Sequence, residues 1–238
     1  MNYPDTYNSE IAQFISVCKA LSVNKYVTGH GGNLAWKLED DVFLLSPTQM
    51  NKGDIEPEDV VFINGKGDVL EGKRKPTGEM PMYLNFFRER PDIVSVVHCH
   101  PPVTGCFAIS KEKNYLMRPL FPETATEVGP VPVVPYGEPL TQKLADNFLP
   151  YVKRYNAFLM ENHGLVIMSP KDITWTFTLT ELLEMTSATI VRALSFGGIK
   201  ELSREDVRNL SNTMKKRDLP LFGLPGANKD LESLYFSE

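Results

Sequence analysis

VVFINGKGDVLEG, residues 60–72, carries the pattern of a β-hairpin. A β-branched and aromatic run, Val60 to Ile63, meets Asn64-Gly65-Lys66-Gly67, and a second extended run follows. Asn and Gly reach left-handed backbone at the least cost, so such a cluster between two apolar runs predicts a tight reversal. Strands joined so closely must be antiparallel, because a parallel pair needs a crossover of a dozen residues or more. The stretch therefore excludes a purely parallel sheet.

Working outward, Leu34 to Leu45 reads as strand material broken by the polar turn Leu38-Glu39-Asp40-Asp41. Further upstream, Ile11, Phe14, Ile15, Cys18 and Leu21 recur at helical spacing, with Ser9 as the expected N-cap. TGHGGN (28–33) and SPTQMNKGD (46–54) are loops. Pro81 opens a helix that Pro91 ends, and Ile93 to His98 forms a short buried strand. PVTGCFAIS (102–110) is compatible with a helix, and VGPVPVVPYG (128–137) is extended chain punctuated by proline. A helix is expected over Leu140–Leu149, a strand over Ala157–Met160, a turn at ENHGL and a strand at Val166–Met168. Ile173–Phe196 is the longest helical pattern, closed by Gly197-Gly198, and Ser203–Lys216 is a last helix. From Asp218 the chain holds Pro220, Gly223, Pro225 and Gly226 and is expected to be an extended tail. These elements describe one α/β domain over residues 1–238. It has a central mixed, largely antiparallel sheet flanked by helices.

Composition narrows the function. The chain has 238 residues, 42% of them hydrophobic, which is enough for a sizeable core. The net charge of −5 comes from both signs mixed along the chain. No basic stripe speaks for nucleic acid, and no apolar run approaches the ~20 residues of a membrane span. MNYPDTYNSE has no charged-then-apolar signal pattern, so a soluble cytoplasmic protein is expected. Cys18, Cys99 and Cys106 are odd in number and scattered, which fits small apolar residues rather than a disulfide framework.

VVHCHPPV (96–103) places two of the four histidines one residue apart. Residues i and i+2 of a strand share a face, so His98 and His100 project together while Cys99 points away. Two imidazoles side by side are a ready pair of metal ligands, and a catalytic zinc takes three protein ligands with one position open. His163, in the Gly-containing turn of LMENHGLVIM (159–168), is the candidate third. A His-x-His on a strand also occurs as ordinary packing, and these residues alone leave both readings open.

The order of segments says more. GGNLAWK, LLSPTQM, KPTGEMPMY, VVHCHPPV and ENHGLVIM follow one another, and the series resembles the class II aldolase/adducin family over about Ile11–Leu210. That family includes zinc-dependent fuculose- and rhamnulose-phosphate aldolases and ribulose-phosphate 4-epimerase. The resemblance implies zinc on His98, His100 and His163, one ion per chain, and Glu79 as the acid/base. It implies a phosphate cradle from Gly32-Asn33, Thr48 and Thr77-Gly78, where backbone N–H groups and hydroxyls serve as donors. It also implies a homotetramer with active sites between subunits.

Several positions depart from the family pattern. Many relatives carry two serines where this chain has Thr77-Gly78, and glycine where it has Gln49. Phe121 stands where the best-known aldolases have a tyrosine, with Tyr115 and the acidic Glu123 and Glu127 nearby. Tyr235 in the tail and His30 beside the glycines are further candidates for the site.

The leading expectation is an aldolase that cleaves a ketose 1-phosphate into dihydroxyacetone phosphate and a small aldehyde by way of an enediolate. A 4-epimerase is a second reading, although epimerase members usually carry aspartate where this chain has Glu79. A 3-oxo acid phosphate decarboxylase uses the same chemistry. An adducin-like scaffold needs no histidine triad, and a metal-dependent hydrolase has no nucleophile motif here to support it.

Overall fold

The computed structural model describes residues 2–111 and 114–236. Eight strands form one sheet: β1 (Asn33–Glu39), β2 (Val42–Leu45), β3 (Val61–Ile63), β4 (Val69–Glu71), β5 (Ser95–Cys99), β6 (Val133–Val134), β7 (Ala157–Met160) and β8 (Gly164–Ser169). Among the described residues ten α-helices surround it: α1 (Tyr3–Thr6), α2 (Asn8–Val23), α3 (Met80–Glu89), α4 (Thr104–Ala108), α5 (Pro122–Glu127), α6 (Gln142–Asn147), α7 (Leu149–Val152), α8 (Ile173–Leu194), α9 (Arg204–Lys216) and α10 (Leu231–Tyr235).

The strand order is β4-β3-β2-β1-β5-β8-β7-β6. Every pairing is antiparallel except β6 with β7, so the sheet is mixed and largely antiparallel as expected. The hairpin forms where the sequence places it. The Asn64 side chain accepts the N–H groups of Lys66 and Asp68 inside the turn, and Gly67 takes φ +88°.

Side chains alternate between two layers. Leu34, Leu44, Phe62, Val97, Cys99, Leu165 and Ile167 face α2 and α8. Ala35, Phe43, Leu45, Val96, Phe158 and Val166 face α3, α6 and α7. Covering both faces buries the central strands fully, which is why β2, β5, β7 and β8 read as continuous apolar runs.

Three details differ from the sequence reading. Ser9 is not an N-cap; α2 begins at Asn8, because α1 precedes it and Tyr3 and Tyr7 pack against Phe62. The helix expected over Leu140–Leu149 is two short helices, with Pro150 inside the first turn of the second. The segment from Asp218 is not a loose tail. Phe222, Leu231 and Leu234 bury against Val207 and Met214, and the N–H groups of Gly223 and Leu224 bond Asn156 and the Lys153 carbonyl. Its prolines and glycines shape a packed return to the body, and Asp230 caps α10. Among the described residues no helix is long and apolar enough to cross a membrane.

Candidate metal centre

β5 lies in the middle of the sheet and delivers His98 near its end, where β1 pairs Asn33 opposite His98. His98 is 1% exposed, and Cys99 turns into the opposite layer. His100 follows the strand. Its backbone N–H bonds the Tyr26 carbonyl, and the segment beyond it is pinned by the buried Glu184 carboxylate. That carboxylate accepts the N–H groups of Val103 and Thr104 and the Thr104 hydroxyl at 2.7–2.9 Å. His163 comes from the β7–β8 turn, which the left-handed Asn162 (φ +54°) makes sharp. A Cβ on Gly164 would stand 2.5 Å from His100 Cδ2 and 2.7 Å from the Cys99 carbonyl, so only glycine leaves the His100 ring its place.

The three imidazoles form one group, with candidate ligand atoms all within 4.8 Å of one another. His98 Nε2 and His100 Nε2 are 3.2 Å apart. Two nitrogens bound tetrahedrally to one zinc at ~2.0–2.1 Å are separated by roughly 3.3 Å, so the spacing fits. His98 Nδ1 lies 2.9 Å from the Leu165 carbonyl, an acceptor only. The ring must therefore donate from Nδ1, which leaves the Nε2 lone pair for the centre. Burial pushes His98 and His100 down to about 3 and lowers His163 as well, the Glu79 carboxylate opposing burial at His163. All three are neutral donors near pH 7. His163 Nδ1 is buried without a hydrogen-bond partner among the described residues. The donor set fits a divalent metal such as zinc.

Glu79 occupies the N-cap position of α3 but does not cap it with its side chain. Its carboxylate, 4% exposed, is turned to the histidines instead, with Oε2 3.4 Å from His98 Nε2 and Oε1 3.8 Å from His163 Nε2. Asn33 Nδ2 donates to Glu79 Oε2 at 2.8 Å, and the buried Tyr83 hydroxyl lies within hydrogen-bond distance of both oxygens of Asn33. Tyr83 escaped the sequence reading, yet it sits one helical turn after Glu79, a spacing that puts both on one side of α3.

The three expected anion loops meet. Thr48 N–H bonds the Lys75 carbonyl, Thr77 N–H bonds the Ser46 carbonyl, and Pro47 bridges Pro76. Thr77 is buried, its hydroxyl accepting the Glu79 N–H, while Thr48 is half-buried. Gly32 (φ +66°) leaves no room for a Cβ, which would fall 2.8 Å from the His98 carbonyl. Gly78 lies under Leu140, an exposed leucine at φ +67°. The other candidates lie outside the histidine group. His30, Glu123 and Glu127 are exposed, and Phe121 precedes α5 with 37% exposure. Tyr115 and Tyr235 line one small cavity with Leu116, Thr124 and Ile190.

A neutral imidazole triad, His98 buried and His100 and His163 partly so, with one buried carboxylate at the end of a sheet defines a centre of the metal-dependent enzyme class. Comparison with known proteins carries this further. Residues 12–191 match the class II aldolase and adducin N-terminal domain, and the chain belongs to that family. It is 30% identical over 203 residues to 5-deoxy-D-ribulose 1-phosphate aldolase of Bacillus thuringiensis, covering 85% of this chain and 93% of that protein. It is 29% identical to 3-oxo-tetronate 4-phosphate decarboxylase of Pectobacterium atrosepticum, covering 84% and 91%. The crystal structure of YgbL from Klebsiella pneumoniae, described only as a candidate aldolase/epimerase/decarboxylase, superposes with a TM-score of 0.79 at 27% identity. That match covers 85% of this chain and 98% of YgbL. Named relatives are thus aldolases and decarboxylases acting on phosphorylated sugars or sugar acids.

Proposed function

We propose that this chain is a zinc-dependent aldolase that reversibly cleaves a ketose 1-phosphate into dihydroxyacetone phosphate and a small aldehyde. The observation that carries the reading is Glu79, a buried carboxylate drawn away from its own helix terminus to face three neutral imidazoles. His98, His100 and His163 would hold the metal. Bound there, a divalent metal supplies a Lewis acid for the carbonyl and hydroxyl oxygens of a ketose. Glu79 takes and returns the substrate proton, and Asn33 with Tyr83 behind it fixes the carboxylate for that transfer. Gly32, Thr48, Thr77 and Gly78 border the place for the phosphoryl group, and Asn33 keeps one amide N–H for it. The homotetramer and the cytoplasmic location expected from the family belong to the same proposal.

A second reading, decarboxylation of a 3-oxo acid phosphate, is favoured by the likeness to the decarboxylase over most of both chains. It needs the same oxygen-polarising centre and puts carbon dioxide in place of the aldehyde. Turnover of a panel of ketose 1-phosphates and 3-oxo acid phosphates by the zinc-loaded protein decides between them. Dihydroxyacetone phosphate with an aldehyde supports the aldolase. Carbon dioxide release supports the decarboxylase, and a C4 epimer without fragments supports the epimerase.

A further inference from the structure

Lys52 is the one buried lysine among the described residues, at 1% exposure. It opens the 3-10 turn Lys52–Asp54. Among the described residues its ammonium makes hydrogen bonds only to backbone carbonyls, that of Met50 at 2.8 Å and that of His30 at 3.5 Å, and it forms no ion pair. Burying an ammonium without a carboxylate is costly, and burial lowers its pKa while the charge of Glu79 works to keep the proton on. Such a group persists where its charge is used or where its contacts hold the chain.

The two carbonyls belong to two different loops. His30 lies in the glycine-rich loop that leads to Gly32-Asn33, and Met50 follows Thr48 in the loop that pairs with Lys75–Thr77. Lys52 therefore ties together, from inside, two of the segments that border the proposed phosphoryl place. The side-chain donors named for the phosphoryl place are all neutral, the Thr48 and Thr77 hydroxyls and one Asn33 amide N–H, and residue 78 is a glycine. An ammonium has three hydrogens, and two carbonyls leave one unspent.

We infer that Lys52 is part of the anion site: a fixed positive charge beneath loops 28–33 and 46–50 that attracts the phosphoryl end of the substrate and holds both loops for it. The inference rests on the proposed sugar-phosphate reading and adds a residue to it. A charge held in a water-poor interior acts over several ångströms with little screening, so Lys52 works without emerging at the surface.

Binding of inorganic phosphate to the zinc-loaded protein, followed by calorimetry, tests this. Wild type binds phosphate, and Lys52→Met binds it at least ~10-fold more weakly, with metal content and circular dichroism unchanged. In the synthetic direction KM rises for dihydroxyacetone phosphate but not for the aldehyde. Lys52→Arg, which keeps the charge, recovers part of the affinity. A Lys52→Met protein that binds phosphate like wild type and only melts earlier would reduce Lys52 to a structural tie and overturn the inference. Wild type that binds no phosphate would overturn the anion site itself. Should neither variant fold, the slowly exchanging 15N ammonium signal of Lys52 can be followed in wild type. It shifts on phosphate addition if the inference holds and stays in place if it does not.

Discussion

Asn33 Nδ2 and Glu79 Oε2 are 2.8 Å apart in a buried setting, and the Tyr83 hydroxyl closes on Asn33 from the other side. β1 and the start of α3 are thereby joined through a single carboxylate. A charged acceptor loses about 1.5–3 kcal/mol with one such bond, which is roughly 10- to 100-fold if all of it is felt in the transition state. Asn33→Leu is therefore expected to lower kcat at least ~10-fold with metal retained, and Tyr83→Phe to lower it less. A rise in KM for the phosphorylated substrate at unchanged kcat would instead make Asn33 a phosphate ligand alone.

Gly164→Ala tests how the imidazoles are seated. The added Cβ meets both the His100 ring and the Cys99 carbonyl, and the carbonyl is backbone that cannot step aside. The variant is expected to keep its secondary structure and bind zinc at least ~10-fold more weakly, as metal analysis after dialysis would show. Full metal content would mean that His100 is not a ligand.

The sheet and the shared side of His98 and His100 were legible in the sequence because each rests on a local rule, whereas His163 joined them as a candidate supported by the order of the segments. Asn64-Gly65-Lys66-Gly67 sets a reversal, and His98 and His100 share a side because strands alternate. The hydrogen-bonded chain Tyr83–Asn33–Glu79 joins residues 50 and then 46 apart in sequence, and no local pattern announces it. The ordered C-terminal segment was hidden for a different reason. Pro220, Gly223, Pro225 and Gly226 suppress every periodic signal, while the burial of Phe222 depends on Lys153 and Asn156 far away in the chain.

That C-terminal segment gives a pH prediction. Glu232 is held below the usual carboxylate range by Arg208, Asp230 by the Ser233 N–H, and Asp206 by the Ser203 hydroxyl. Groups whose folded pKa is depressed contribute stability above their unfolded pKa and lose it as pH falls through the folded value. Helices α9 and α10 should therefore loosen below pH about 4, ahead of the sheet. Hydrogen exchange corrected for intrinsic rates should show residues 204–236 less protected at pH 3.5 than at pH 6. Equal protection at both would contradict the assignment.

The thiols should divide cleanly. Cys18 and Cys99 are fully buried, and burial pushes Cys18 up to about 12 and Cys99 higher still, whereas Cys106 is exposed. Native protein treated with iodoacetamide should be labelled at Cys106 alone, as peptide mass mapping can verify. Labelling of Cys99 without loss of the fold would mean that the layer behind the histidines opens.

The most direct test concerns Glu79. The measurement is exchange of the dihydroxyacetone phosphate C3 proton in deuterated water, in wild type and Glu79→Gln, with metal content determined on the same samples. The substitution keeps size and polarity and removes the base. The account predicts full metal, an intact fold and exchange slower by ~100-fold or more, the usual scale for a positioned acid/base. Exchange at the wild-type rate, on a protein whose wild type turns the substrate over, would contradict it.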